Sequence, residues 1–329
     1  MLMLAPSAWS RRVHSLTRYG LVGLASCAGI SAMVAEEDGK PVRPKFSSKI
    51  HVPVTLAPAT TSLPPAGYQM VFADDFNGST LDADKWVYRT DSKLLSTQVP
   101  KNVSVADGNL RIGIRKQSAN GMNYTGGGII SKADFVYGYF EARFKTPAAE
   151  GWHTSFWAQK HDGSGGTTPT NAVLELDFCE QDGGDPHLYS FGAINQRPDA
   201  TKKETWNAGR WVVPEAPDTA AAFHVWSCEF TPETVRFYFD GRLAKEASSA
   251  TFPHGEMNVW LTSIAGKLKG DRQVDDASLP NAAVYDYVRV YQNPAYREAE
   301  AAARVAAAER LRQIPPRKTK VAAPVKELN

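Results

Sequence analysis

Between residues 67 and 292 the chain is a succession of short runs in which apolar and polar positions alternate, the two-residue period of a strand with one buried face. Asn109–Ile114, Tyr137–Phe144 and Val235–Phe239 are the clearest, and they are rich in aromatic and β-branched residues. Asp107-Gly108 and Asp240-Gly241 follow or precede such runs, and Asp-Gly suits a two-residue hairpin turn because both positions take positive φ. No long amphipathic helix interrupts the series. The pattern predicts an all-β domain over 67–292, a β-jelly roll sandwich of two antiparallel sheets. Residues 36–66, rich in Pro, Thr, Ser and Lys without a period, read as a linker. After Pro294 the texture changes again: Tyr296 to Gln313 is rich in Ala, Glu and Arg, with Val305 and Leu311 as its main large apolar residues. That predicts a solvent-exposed helical extension within 293–329, followed by a disordered basic tail; docking to a wall, membrane or partner protein is the alternative.

The first residues read as targeting. Arg11, Arg12 and Arg18 precede an apolar stretch from Leu21 to Ala35 that is too short to span a bilayer as a mature helix. An export signal is expected over 1–35, placing the mature chain outside the cytoplasm, secreted or periplasmic. Leu24-Ala25-Ser26-Cys27 also has the form of a bacterial lipobox, so a lipid anchor at Cys27 is the alternative. No other segment approaches transmembrane length.

Composition narrows the partners. Hydrophobic residues make up 43% and charged residues 22%, and the net charge is +2, which leaves no electrostatic footprint for nucleic acid or an anionic membrane. A monomer is expected. The 8 Trp, 12 Tyr and 14 Phe suit stacking on sugars and core packing alike. Cys179 and Cys228, the cysteines outside the signal, read as buried thiols. The 7 His residues show no His-x-x-x-His spacing, and Cys-x-x-Cys does not occur, which argues against zinc or redox-metal chemistry. Gly126-Gly-Gly128 lies between strands and reads as a turn or bulge rather than a phosphate loop.

The chemistry concentrates in one strand, Ala172-Val-Leu-Glu-Leu-Asp-Phe-Cys-Glu-Gln181. Glu175 and Asp177 differ by two and share a face, with Leu174, Leu176 and Phe178 on the other. Glu180 is offset by five from Glu175, which in a regular strand would bury it among the apolar side chains. A β-bulge near Cys179 restores all three acids to one face. Crowded carboxylates raise one another's pKa, so one of them is expected to hold a proton near neutrality. A retaining glycosidase needs that combination: one carboxylate to attack the anomeric carbon and one carboxylic acid, about 5–5.5 Å away, to protonate the leaving oxygen. A solvated acidic face or a calcium site is the alternative from spacing alone.

The segment resembles the Glu-x-Asp-x-x-Glu signature of glycoside hydrolase family 16, in the bulged form of its laminarinase and agarase branches. Phe72–Gly78, Asn102–Leu110, Ile130–Arg143, Phe230–Gly241 and Tyr285–Tyr291 are similar to family strands in the family's order. The resemblance implies two curved antiparallel sheets with a cleft on the concave face. It implies Glu175 as nucleophile, Asp177 as its helper and Glu180 as general acid/base. The expected activity is retaining, endo-acting hydrolysis of a polysaccharide, by default a β-1,3-glucan of the laminarin type. Alternatives are a galactan of the agar, porphyran or carrageenan type, transglycosylation, and a non-catalytic carbohydrate-binding sandwich.

Candidate substrate residues follow from the same comparison. Gly151-Trp-His-Thr-Ser-Phe-Trp157 stands where the family has Gly-x-Trp-Pro-Ala-Phe-Trp, so His153 takes the usual Trp position and Trp152 is shifted by one. Trp152 and His153 are expected to face the cleft; Trp157 reads as sugar platform or core. Asn102 and Asn195 fall near positions that can contact sugar hydroxyls, or serve turns and strand pairing. Trp260 lies on a late strand, as cleft or core residue. Trp206 and Trp211 read as a subsite or a loop anchor, and Arg197, Lys202 and Lys203 as loop charges or sulfate contacts. The family often holds a structural calcium on its convex side; Asp286 matches the side-chain ligand and the Gly108 carbonyl another. No cofactor is expected for catalysis.

Overall fold

The structure is a computed structural model that describes residues 64–166, 171–199, 210–213, 217–266 and 273–315. The expected export signal with Cys27, nearly all of the linker, the basic tail, Trp206, Lys202 and Lys203 lie outside the described residues. The strands are β1 (Gln69–Asp74), β2 (Trp86–Tyr88), β3 (Ser92–Lys93), β4 (Ser96–Gln98), β5 (Val103–Ala106) and β6 (Asn109–Ile114). They continue as β7 (Tyr124–Phe135), β8 (Gly138–Lys145), β9 (Trp152–Gln159), β10 (Leu174–Asp182), β11 (Tyr189–Asn195) and β12 (Arg210–Val213). The last are β13 (His224–Phe230), β14 (Thr234–Phe239), β15 (Arg242–Ser248), β16 (Met257–Ala265) and β17 (Asn281–Gln292), followed by helix α1 (Arg297–Gln313).

These strands form the expected jelly roll. One sheet runs β15-β14-β13-β8-β17-β6-β5, with β1 also on β17; the other runs β12-β11-β10-β9-β16-β7-β4-β3, with β2 also on β7. Neighbours pair antiparallel except β4 with β7. Asp107-Gly108 joins β5 to β6 and Asp240-Gly241 joins β14 to β15, each with positive φ at both positions, so Asp-Gly makes the hairpin turns its chemistry favours. Aromatic side chains bond the layers. Phe140 of β8 stacks on Phe178 of β10 with ring centroids 5.0 Å apart, and Phe144 of β8 meets Phe156 of β9 edge-on at 6.5 Å. Cys179 and Cys228 are buried free thiols in the same core.

Helix α1 departs from the expectation of a solvated extension. Ala303 and Ala307 are buried, and Tyr296, Ala299 and Leu311 pack against the main core. The small side chains permit this approach. A Cβ added to Gly255 would lie 2.9 Å from the Ala307 Cβ and 2.6 Å from a Val173 methyl, so the helix, the glycine and the residue before β10 pack closely. Low apolar area per residue therefore did not mean an undocked helix. No helix among the described residues is long and apolar enough to cross a membrane.

Candidate active site

Strand β10 carries the acids, and its register explains how they share a face. Against β9, Glu175 pairs with Gln159, Asp177 with Trp157, Glu180 with Ser155 and Asp182 with His153, while Phe178 is skipped. Against β11, Asp177 pairs with Gly192 and Glu180 with Ser190, two residues of β10 opposing Phe191. Since 159, 157, 155 and 153 alternate along one face of β9, the bulge at Phe178-Cys179 brings Glu175, Asp177, Glu180 and Asp182 onto that face. Phe178 and Cys179 both go into the core, which anchors the bulge from behind.

Each acid has a distinct setting. Glu175 Oε2 accepts two amide hydrogen bonds, from Gln159 Nε2 at 2.7 Å and from Gln196 Nε2 at 2.7 Å. Burial and then the Glu180 charge push its pKa up, opposed by Lys93, Gln196 and Arg89. The two amide donors favour the ionised form and mark which oxygen is held. Glu180 has a cation for a neighbour instead of amides. His153 Nε2 lies 3.5 Å from Glu180 Oε1, while His153 Nδ1 is 2.7 Å from Asp182 Oδ1. Burial by itself lowers the His153 pKa, but its hydrogen bonds to Asp182 and Glu180 outweigh that and hold it at about 9. At neutral pH the ring is thus an imidazolium held between Asp182 and Glu180. Ser190 Oγ lies 3.4 Å from Glu180 Oε2. A cation beside Glu180 stabilises the anion left when that group gives up a proton.

This setting has a measurable consequence. The His153 pKa is raised from 6.5 to about 9 in the fold, so its contribution to stability is complete below pH 6.5 and is lost as pH rises through about 9. Thermal melts of the parent and of His153→Gln at pH 6, 7.5 and 9.5 are expected to differ most at the lowest pH and least at the highest. A gap constant across that window would contradict the ion-paired imidazolium.

Of the other candidates, Trp152 does not face the cleft as expected, while Trp157, Trp260, Asn102 and Asn195 take the core or strand-pairing alternatives. Trp152 faces away from the acids and is fully buried beside Ile114, Ala149 and Ala265, with Tyr124 edge-on at 6.1 Å; one residue of strand parity separates it from His153. His153 is on the catalytic face but only 3% exposed, so it partners Glu180 and is no open platform. Trp157 is on the same face, yet it stacks on Trp260 at 4.7 Å and is 7% exposed. Trp260 is fully buried, and its indole N–H donates to the Gln159 carbonyl at 2.9 Å, so the pair supports the strand that carries Gln159. Asn102 spends its amide on Thr125 Oγ1 and the Gly126 carbonyl, both at 3.0 Å, and accepts from Arg115. Asn195 pairs with Leu174 and accepts the Arg197 N–H, so it turns away from the acids. Arg197 is buried, and its Nη1 donates to the Gln196 carbonyl. Gln159, Gln196 and Asp182 were missed. Gln159 and Asp182 sit at the right parity, two residues beyond Trp157 and Glu180; Gln196 lies just past its strand and carried no periodic signal.

Asp286 and Gly108 lie on the opposite sheet. The Asp286 carboxylate accepts from Arg143 Nη1 at 2.5 Å, and no group of three His, Cys, Asp or Glu placed to hold a metal ion occurs among the described residues. A calcium ion needs six to eight oxygens and would compete with that guanidinium, so these donors do not by themselves fit a calcium cage. No catalytic step is assigned to a metal.

The family model described as the GH16 domain of β-porphyranases A–D matches residues 68–293. A β-glucanase of Rhodothermus marinus is 27% identical over 68% of this chain and 85% of its own length. β-Porphyranase B of Phocaeicola plebeius is 26% identical over 69% of this chain and 86% of its own. Among solved structures, a non-specific endo-β-1,3(4)-glucanase of the same family superposes with a TM-score of 0.61 at 26% identity, covering 76% of this chain and 98% of that one. The matched span runs from β1 through β17 and includes the whole acid row. The chain is a member of glycoside hydrolase family 16, a glycoside hydrolase that cleaves internal β-glycosidic bonds.

Proposed function

We propose that this chain hydrolyses a β-linked galactan of the porphyran type, with retention, through Glu175 as nucleophile and Glu180 as acid/base. The bulge-aligned acid row supports the mechanism. In the first step the Glu175 carboxylate bonds to the anomeric carbon as the bond to the leaving sugar breaks, and protonated Glu180 gives its proton to the leaving oxygen. The His153 imidazolium then faces the newly anionic Glu180. In the second step Glu180 takes a proton from water, the oxygen of that water bonds to the anomeric carbon, and the ester to Glu175 breaks. Asp177, between the two on the same face, orients Glu175.

The substrate class rests on the match to the β-porphyranase family model together with His153, which stands where the glucanase-like pattern has a tryptophan. A stacking platform for glucose is replaced there by a buried cation. Export through residues 1–35 suits a polymer too large to enter the cell. The β-1,3-glucan reading is favoured by one observation, the Rhodothermus marinus β-glucanase covered over 85% of its length. Digestion of porphyran, agarose, carrageenan, laminarin and mixed-linkage glucan, with product sizing, separates the two. Oligosaccharides from porphyran with laminarin untouched are expected; cleavage of laminarin alone would overturn the galactan assignment.

A further inference from the structure

Helix α1 lies beyond the family-matched residues, yet its arginines reach the backbone that serves the nucleophile. Arg310 donates to the Arg197 carbonyl oxygen from Nε at 2.9 Å and from Nη2 at 2.6 Å. Arg197 Nη1 in turn donates to the Gln196 carbonyl at 2.9 Å, and Gln196 Nε2 donates to Glu175 Oε2. The second amide donor is tied to the same helix. Gln159 ends β9, and Lys160 after it donates to Asp134 Oδ2 at 2.6 Å. Asp134 Oδ1 accepts from Arg304 Nη1 at 2.9 Å, which also reaches Glu256 Oε1 at 3.0 Å. Each glutamine on Glu175 thus sits one residue before a basic residue linked to α1, once directly and once through Asp134.

We infer that α1 is a clamp on the catalytic site, in which Arg304 and Arg310 are positioning residues that hold Gln159 and Gln196 against Glu175. The inference rests on Glu175 being the nucleophile. The physical need arises at Gln196, which lies just past the end of β11: its N–H donates to the Val173 carbonyl at 2.9 Å, but its own carbonyl is held by the Arg197 side chain, whose backbone oxygen Arg310 grips. Catalytic hydrogen bonds tolerate about 0.5 Å of displacement before they lose effect. Among the described residues, the charges that act most on Glu175 are Glu180 on β10, Lys93 on β3 and Arg89 after β2, with Asp177 and His153 on the same face; none of these belongs to α1. Loss of an α1 arginine therefore reaches Glu175 through the amide donors and not through its own charge.

The test uses full-length Arg310→Gln, Arg310→Lys, Arg304→Gln, Gln196→Leu and the double variant Arg310→Gln/Gln196→Leu. Arg312→Gln is the control, since Arg312 pairs with Glu309 on an exposed face of the same helix. Arg310→Gln is expected to lower kcat about tenfold with KM little changed. The acidic limb of its kcat/KM profile should move to higher pH, because Glu175 loses a donor to its ionised form. Arg304→Gln is expected to shift the same limb, Arg310→Lys to restore part of it, and the double variant to be no worse than Gln196→Leu alone. An acidic limb that stays in place in Arg310→Gln and Arg304→Gln, whatever the melting temperature, would overturn the clamp. So would losses from Arg310→Gln and Gln196→Leu that add in full. Retained activity in Glu175→Ala would instead overturn the nucleophile assignment, so the two failures are distinguishable.

Discussion

Glu175→Ala is expected to lower turnover by about 10⁴-fold, equivalent to roughly 5 kcal/mol of lost transition-state stabilisation. The loss should be chemical and not structural. The folded-state pKa of Glu175 is raised above its ordinary value of 4.5, first by burial, so the ionised group opposes folding once pH exceeds 4.5. Removing it should leave the melting temperature at pH 7.5 equal to or above the parent's. The truncation also opens space for a small anion. Azide is expected to restore part of the turnover and to yield a glycosyl azide of inverted, α configuration. A melting temperature well below the parent's would reassign the loss to folding.

Glu180→Ala is expected to show a different signature. Loss of general acid catalysis costs about 10²–10⁴-fold on a natural polysaccharide, whose leaving sugar needs a proton. An aryl glycoside with an acidic phenol leaves without one, so formation of the glycosyl-enzyme should be largely spared and its hydrolysis should become limiting. Azide, which needs no general base, should then accelerate release and give a β-glycosyl azide of retained configuration. The two variants are thus expected to give opposite anomers with the same nucleophile. Equal losses on both kinds of leaving group would contradict the role of Glu180. The His153 imidazolium beside Glu180 is consistent with this assignment, because it stabilises the carboxylate formed on proton donation.

The legible part of the site was the part written in strand parity. Glu175, Asp177 and Glu180 fall on one face only with a bulge, and the register skips Phe178 as that requires. The hairpins at Asp107-Gly108 and Asp240-Gly241 were legible for the same local reason, backbone conformation set by residue type. Parity also separates Trp152 from His153, but choosing between them needs the pairing of Ser155 with Glu180, a long-range fact. Burial of Trp157 against Trp260 depends on a neighbouring strand about a hundred residues later, which no local pattern reports. Docking of α1 was hidden by its composition. Alanines and a facing Gly255 bring the helix close through small volume, whereas amphipathic pattern reading looks for large apolar side chains.

The mechanism depends on the assignment of the covalent intermediate to Glu175. It is tested most directly by incubating the enzyme with a 2-deoxy-2-fluoro oligosaccharide of the cleaved polymer bearing an activated leaving group, then locating the label by mass spectrometry of the digested protein. One glycosyl adduct is expected, on the Glu175 side chain, and it should disappear on slow reactivation. An adduct on Glu180, or release of the inverted α-anomer with no adduct, would contradict it.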